Sequence, residues 1–127
     1  MKIKLILCIV FVLVIFAACN PSTGPNKKVT NLHIEGTVTY SDTHKPVAGC
    51  RVELGVYGVP LCPSYYLSNA YTNEDGRYSI KHTFTGALCG TLTLRVFIEE
   101  QLRWSSLNSD QEISFKEGIQ TINIEID

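Results

Sequence analysis

Apolar and polar side chains alternate with a period of two along most of the chain after residue 30. From Leu32 to Tyr40, for example, every second residue is apolar or glycine, and the residues between them are polar. This pattern is typical of a strand with one face in a core and the other in solvent. The alternation predicts seven strands, with weaker patterns in the third and sixth, at about 32–40, 50–56, 65–72, 78–84, 92–98, 102–107 and 122–126.

Segments rich in glycine, proline, asparagine and aspartate separate these predicted strands, as at Asp42–Gly49 and Asn73–Gly76. No helical periodicity occurs outside the N-terminal apolar run. Short strands at this spacing predict an all-β fold, an antiparallel sandwich of two sheets that share one core. A chain of this length is sufficient for one such domain.

Three segments resemble the carboxypeptidase regulatory-like domain: Glu35–Val38, Lys45–Val52 and Thr72–Ile80. They are similar to that family's opening Gly-x-Val strand, its Pro-Val-x-Gly-x-x-Val turn and strand, and its Thr-x-x-Asp-Gly-x-Tyr-x-Ile hairpin. Asp75-Gly76 supplies the turn residues that such a hairpin needs. The resemblance extends over about residues 32–99. It implies a seven-stranded Greek-key sandwich of the transthyretin-like (prealbumin-like) type.

The N-terminus has the three-part layout of a secretory signal: Lys2 and Lys4, the apolar run Leu5–Ala18, and small residues before Cys19. The run is shorter than the roughly 20 residues that a spanning helix needs. Phe16-Ala17-Ala18-Cys19 resembles the lipobox of bacterial lipoproteins, which implies cleavage before Cys19 and attachment of fatty acids such as palmitate to it. The alternative is a plain secretory signal that leaves Cys19 as a thiol.

These features predict a signal peptide over residues 1–18, an acylated flexible tether over 19–30 and a sandwich domain over 31–127. Residues 20–30 are polar and turn-rich without a period, which is typical of a linker. Asn20 follows the cysteine, and the absence of aspartate there resembles lipoproteins sorted to the outer membrane. We therefore expect a lipid-anchored outer-membrane protein, whose orientation toward periplasm or cell surface stays open.

Charge excludes one class of partner. Without residues 1–18 the chain has nine Lys and Arg against twelve Asp and Glu, a net charge of 9 − 12 = −3. Nucleic-acid binding requires a basic stripe, which this balance does not provide.

Cysteine pairing follows from the predicted strand order. Cys8 lies in the predicted signal and Cys19 is the predicted acylation site, so Cys50, Cys62 and Cys89 remain. Cys62 and Cys89 fall in connections at the same end of an antiparallel sandwich, whereas Cys50 opens the second strand at the other end. We predict a disulfide between Cys62 and Cys89, suited to an oxidising compartment, with Cys50 as a buried free thiol.

Catalytic patterns are missing from the sequence. His33, His44 and His82 have no partners at metal-ligand spacing, and no Cys-x-x-Cys pair occurs. No serine lies in a Gly-x-Ser-x-Gly elbow. We predict that the protein is not an enzyme and holds no metal or cofactor. A hydrolase that uses His33 or His82 is the weakest alternative.

A surplus of aromatic residues suggests a binding role. Tyr57, Tyr65, Tyr66 and Trp104 are the candidate ligand-binding residues, because exposed tyrosine and tryptophan suit both protein contact and sugar stacking. The alternative is that some of them cap the sandwich edges or pack inside. The leading hypothesis is a protein-interaction or accessory module bound to another envelope protein. The second is a carbohydrate-binding accessory lipoprotein of a polysaccharide-uptake system.

Overall fold

The computed structural model describes residues 28–127, so the predicted signal peptide and Cys19 lie outside the described residues. The described chain is almost entirely strand and turn, with one short 3-10 turn at Ser106–Asn108. None of its helical segments is long and apolar enough to cross a membrane. Its eight strands are β1 (Val29–Tyr40), β2 (Arg51–Tyr57), β3 (Tyr65–Tyr71), β4 (Arg77–Thr85), β5 (Thr91–Ile98), β6 (Gln101–Ser105), β7 (Gly118–Thr121) and β8 (Ile124–Ile126).

The strands form two four-stranded sheets that share one apolar core. In the first sheet β1 is central, with β4 on one edge and both β7 and β8 on the other. The second sheet has the order β3-β2-β5-β6 and is antiparallel throughout. The all-β, two-layer sandwich expected from the alternation is therefore confirmed.

The last predicted strand differs from expectation in two ways. The predicted range 122–126 contains β8 only, whereas β7 (Gly118–Thr121) precedes it and was not predicted, which gives eight strands in place of seven. Both strands run parallel to β1. The prediction of a wholly antiparallel sandwich was therefore wrong. After the 3-10 turn the chain returns to the end where β1 starts, since Gly118 is paired with Leu32. The final strand must then run in the same direction as β1.

The division between β7 and β8 occurs where the chain crosses Gly36. A Cβ on Gly36 would overlap the carbonyl oxygen of Ile122. The Tyr78 hydroxyl donates to that oxygen at 2.7 Å, and the Ile122 amide donates to the Glu35 carbonyl at 2.8 Å. The Asn123 side-chain oxygen accepts from the amide of Thr37 at 3.1 Å. These bonds replace ladder bonds lost at the break, so both strands stay on the edge of β1.

The core consists of the inward side chains of both sheets, as the alternation predicts. Burial of such branched aliphatic side chains is the main favourable contribution to folding. The least exposed core side chains are Leu32, Ile34 and Val38 of β1, Val52 and Leu54 of β2, Ile80 of β4, Leu94 and Val96 of β5, and Ile124 and Ile126 of β8.

Cysteine pairing agrees with the prediction. Cys62 and Cys89 form a disulfide with Cα atoms 5.9 Å apart. It joins the β2–β3 and β4–β5 connections at one end of the sandwich. Cys50 is a buried free thiol, as expected. Burial raises the pKa of the Cys50 thiol, so it stays protonated at neutral pH and is a poor nucleophile.

Replacing both Cys62 and Cys89 by serine is expected to lower the free energy of unfolding by about 3 kcal/mol, because the cross-link no longer restricts the unfolded chain. The two cysteines are 27 residues apart in sequence. Urea unfolding of the mature protein measures the change. Reduced wild type is the matched control and should resemble the double variant. Equal stability of the oxidised and reduced proteins would contradict the prediction.

Candidate interaction face on the second sheet

The outer face of the second sheet carries a cluster of aromatic and charged side chains. Val52 and Leu54 of β2 point into the core, so the alternating residues Arg51 and Glu53 point away from it. The pairing of β2 with β3 and β5, and of β5 with β6, extends this outer face across the whole sheet. We call this surface the tyrosine–arginine face; its residues are Arg51, Glu53, Tyr66, Tyr71, Arg95, Phe97 and Leu102.

One row crosses all four strands of the face. Tyr71 lies opposite Arg51, Arg51 opposite Phe97, and Phe97 opposite Leu102. Tyr71 is 64% exposed and Leu102 is also exposed, so both ends of the row are open to a partner. Farther along β2, Gly55 lies on the same face as Arg51 and is paired with the exposed Tyr66.

An ion cluster fixes the middle of the face. Glu53 is only 8% exposed although it belongs to the outer face. The Glu53 carboxylate accepts a hydrogen bond from the Arg95 guanidinium. It also lies 3.8 Å from the Arg51 guanidinium. Glu100 contacts Arg51 at 2.9 Å. The two arginines therefore cover Glu53 and shield it from water.

Phe97 lies below both guanidinium groups. The Arg51 guanidinium carbon is 4.7 Å from the ring centre, and that of Arg95 is 5.7 Å away. Contacts of this kind contribute about 0.5–2 kcal/mol each. They also reduce the freedom of the arginine side chains, so less entropy is lost when a partner binds. Among the described residues, the buried Nε–H groups of Arg51 and Arg95 have no acceptor.

A cleft of about 320 Å³ opens beside this face and brings three predicted site residues together. Tyr57, Tyr65 and Tyr66 line it with Arg95 and Leu107. All three tyrosine rings are exposed. The cleft therefore combines aromatic surfaces with a fixed guanidinium, which suits stacking and hydrogen bonding to a polar ligand.

The structure separates Trp104 from these tyrosines. Trp104 lies opposite Val96, whose side chain is in the core, and the indole is half-buried against core residues. The β5–β6 register shifts between Val96 and Phe97. Such an irregularity changes which residues share a face, and alternation alone does not predict it.

Sequence reasoning missed the ion cluster. Its signal was present, because Arg51 and Glu53 in β2 and Arg95 in β5 occupy the polar positions of their alternating patterns. What the pattern did not show is that Glu53 pairs with Arg95 across the strands. Cross-strand partners of opposite charge are found only once the register is known.

A histidine, a serine and a glutamate meet on the outer face of the first sheet. His33 Nε2 lies 3.0 Å from the Ser79 hydroxyl and 3.5 Å from a Glu35 carboxylate oxygen. A catalytic triad needs the acid on one ring nitrogen and the nucleophile on the other. Here both contact Nε2, so the arrangement does not activate Ser79. Within residues 28–127, no group of three His, Cys, Asp or Glu side chains is placed to hold a metal ion.

Comparisons with known proteins define the fold alone. No protein-family model matches the chain, and no curated protein matches it. Among solved structures, the chain is similar to part of a 9R-lipoxygenase from Cyanothece PCC8801, with a TM-score of 0.52 and 20% identity. The match covers 82% of this chain but 17% of the lipoxygenase chain. Fold and face together define a small β-sandwich with an aromatic and ionic surface on its second sheet.

Proposed function

We propose that the chain is an outer-membrane lipoprotein, anchored by fatty acids on Cys19, whose sandwich is a non-enzymatic protein-interaction or accessory module. The transthyretin-like, carboxypeptidase regulatory-like classification of the sandwich is part of this proposal and rests on the motifs at 35–38, 45–52 and 72–80. The observation that carries the interaction role is the tyrosine–arginine face.

The composition of that face supports binding to a protein. Tyrosine and arginine are the residue types that most often dominate the binding energy of protein interfaces. Here the exposed Tyr66 and Tyr71 flank Arg51 and Arg95, whose orientation is set by Glu53 and Phe97. A surface that is rigid before binding loses less entropy on association.

The remaining chemistry supports a role without catalysis. The Ser79–His33–Glu35 contacts lack triad geometry, and the buried Cys50 thiol is held protonated. The excess of acidic over basic residues supports the absence of a nucleic-acid partner.

Carbohydrate binding is the second candidate function, and the cleft lined by Tyr57, Tyr65 and Tyr66 favours it. Titration calorimetry with candidate polysaccharides tests it. Sugar binding that is lost in Tyr65→Ala and kept in Tyr71→Ala would favour this second function, because Tyr65 lines the cleft and Tyr71 does not.

Tyr71→Ala is expected to weaken partner binding at least tenfold, which corresponds to a loss of about 1.4 kcal/mol. Cross-linking of the mature lipoprotein in native envelopes, followed by quantitative mass spectrometry, measures capture of its partner. Ile119→Ala is the matched control, because Ile119 is exposed to a similar degree on the first sheet. Equal capture by wild type, Tyr71→Ala and Ile119→Ala would contradict the assigned face.

A further inference from the structure

The described chain begins at one particular end of the sandwich. The Lys28 carbonyl accepts a hydrogen bond from the Gly86 amide at 2.8 Å, and the next residue, Val29, is paired with Thr85 at the end of β4. Thr85 leads into the β4–β5 connection, which carries Cys89. The disulfide joins that connection to the β2–β3 loop. The predicted tether therefore leaves the sandwich beside the two disulfide-linked loops.

The β2–β3 loop at this end presents apolar side chains to solvent. Leu61 is 104% exposed, and Val59 is also exposed. Tyr57 and Tyr65, which flank the loop, expose their rings as well. Exposed apolar and aromatic side chains that are concentrated in one loop, rather than scattered singly, are typical of an interaction surface.

Charge distinguishes the two disulfide-linked loops from the turns at the opposite end. Residues 57–66 and 86–91 contain no Asp, Glu, Lys or Arg. The segment before β7 also lies at this end, and its charged residues are Asp110, Glu112, Lys116 and Glu117, of which Glu117 accepts from the Asn31 amide at 2.8 Å. The turns at the opposite end are charged, with Asp42, Lys45, Glu74, Asp75, Glu99 and Glu100.

The apolar loop is held in one conformation. Leu61 has a φ of 77°, in the left-handed region that favours glycine. Its neighbour Cys62 donates from its amide to the Val59 carbonyl at 2.8 Å, and the Gly58 amide donates to the Ser64 hydroxyl at 2.8 Å. With the disulfide, these contacts keep Leu61 outward even though it would gain from burial. Backbone strain held at an exposed tip is typical of functional sites.

The length of chain before Lys28 determines which end can lie on a bilayer. Nine residue steps separate Cys19 from Lys28, and fully extended they reach about 32 Å. β1 has 12 residues and is about 36 Å long. An anchor at Cys19 therefore cannot reach past the far end of β1. The end that carries Leu61 can therefore lie on the lipid, whereas the far end cannot.

We propose that this loop docks on the phospholipid surface in which the protein is anchored, with Leu61 and Val59 inserted among the acyl chains. Tyr57 and Tyr65 then lie at the headgroup level, where amphipathic aromatic rings are favoured. Lys28 lies at the same end, where it can contact anionic headgroups. This docking rests on the proposed lipid anchor. It fixes the orientation of the sandwich, with the strands pointing away from the membrane and the tyrosine–arginine face turned sideways toward neighbouring proteins.

Tryptophan fluorescence in vesicles tests the docking. The full mature lipoprotein is prepared with Trp104→Phe, which removes the only native tryptophan, and with Leu61→Trp as the reporter. Vesicles contain phosphatidylethanolamine and phosphatidylglycerol with brominated acyl chains. Trp at position 61 is expected to be quenched about twofold or more and its emission blue-shifted, because the side chain enters the acyl region.

Leu102→Trp in the same background is the matched control, since Leu102 is exposed on β6 next to the turn at the opposite end. It should show neither effect. Val59→Trp is a second reporter if Leu61→Trp does not fold. Quenching at position 61 no greater than at position 102 would overturn the docking and assign the loop to solvent or a protein partner.

Flotation of the same vesicles separates this inference from the proposed function. If every variant floats but position 61 is unquenched, only the docking fails. If none floats and mass spectrometry finds no fatty acid on Cys19, the anchor fails and the docking fails with it.

Discussion

Replacing Cys19 by alanine is expected to abolish fatty-acid attachment completely and to remove the protein from the outer-membrane fraction. The thiol is the group that the acyl-glycerol moiety is attached to in the predicted processing, and alanine offers no nucleophile. Each buried methylene contributes about 0.8 kcal/mol, so two or three chains hold a protein on a membrane essentially permanently, whereas the bare domain has no comparable anchor. Labelling with a palmitate analogue and membrane fractionation measure the change.

Cys8→Ser is the matched control, because Cys8 lies inside the predicted signal peptide and is removed with it. It should keep full labelling and fractionation. The variant at position 19 should also accumulate as a precursor longer by the 18 residues of the predicted signal. Labelling that persists without Cys19, or a native N-terminus with no fatty acid, would contradict the anchor.

Replacing Gly36 by alanine is expected to lower the free energy of unfolding by about 3 kcal/mol, the upper end of the usual cost of overpacking. The added methyl would overlap the carbonyl oxygen of Ile122. Relief of that overlap requires the β7–β8 junction to move off β1. The movement would also break the bond from the Tyr78 hydroxyl to the same carbonyl. Urea unfolding of the mature protein measures the loss.

Two further variants show whether the loss comes from this junction. Thr121→Ala, at an exposed position of β7, should change stability by less than about 0.5 kcal/mol. Tyr78→Phe alone should cost about 1 kcal/mol. Tyr78→Phe and Gly36→Ala both act on the Ile122 carbonyl. The double variant should therefore lose less free energy of unfolding than the sum of the two single losses. Full additivity, or a Gly36→Ala variant as stable as wild type, would contradict this account.

Strand positions were predictable because their signal is local. Alternation located seven of the eight strands, including the weak ones at 65–72 and 102–107, which are β3 and β6, but it missed β7. Strand order then placed Cys62 and Cys89 at one end, and the disulfide is confirmed. The Asn73–Gly76 segment is a turn, as predicted. The Asn73 side chain accepts from the amides of Asp75 and Arg77 at 3.0 and 2.9 Å.

Strand direction and the position of the final strand were not predictable in the same way. A strand has the same alternation whether its neighbour is parallel or antiparallel, so the parallel pairing of β7 and β8 with β1 left no trace in the pattern. The crossing of Gly36 by Ile122 joins residues far apart in sequence. Only the folded chain shows why a glycine is needed there.

The candidate sites show the same difference between local features and features that depend on remote contacts. The sequence by itself determined an all-β domain, seven of its eight strands and its cysteine pair, because each depends on neighbouring residues or on the strand order that they give; it also predicts a lipid anchor from a short motif. The tertiary structure decided that Glu53 is covered by two arginines above Phe97, that Trp104 turns toward the core, and that the Leu61 loop lies beside the start of β1. Each of these depends on register and on which strand ends meet. Contacts between remote residues set both, and no local pattern records them.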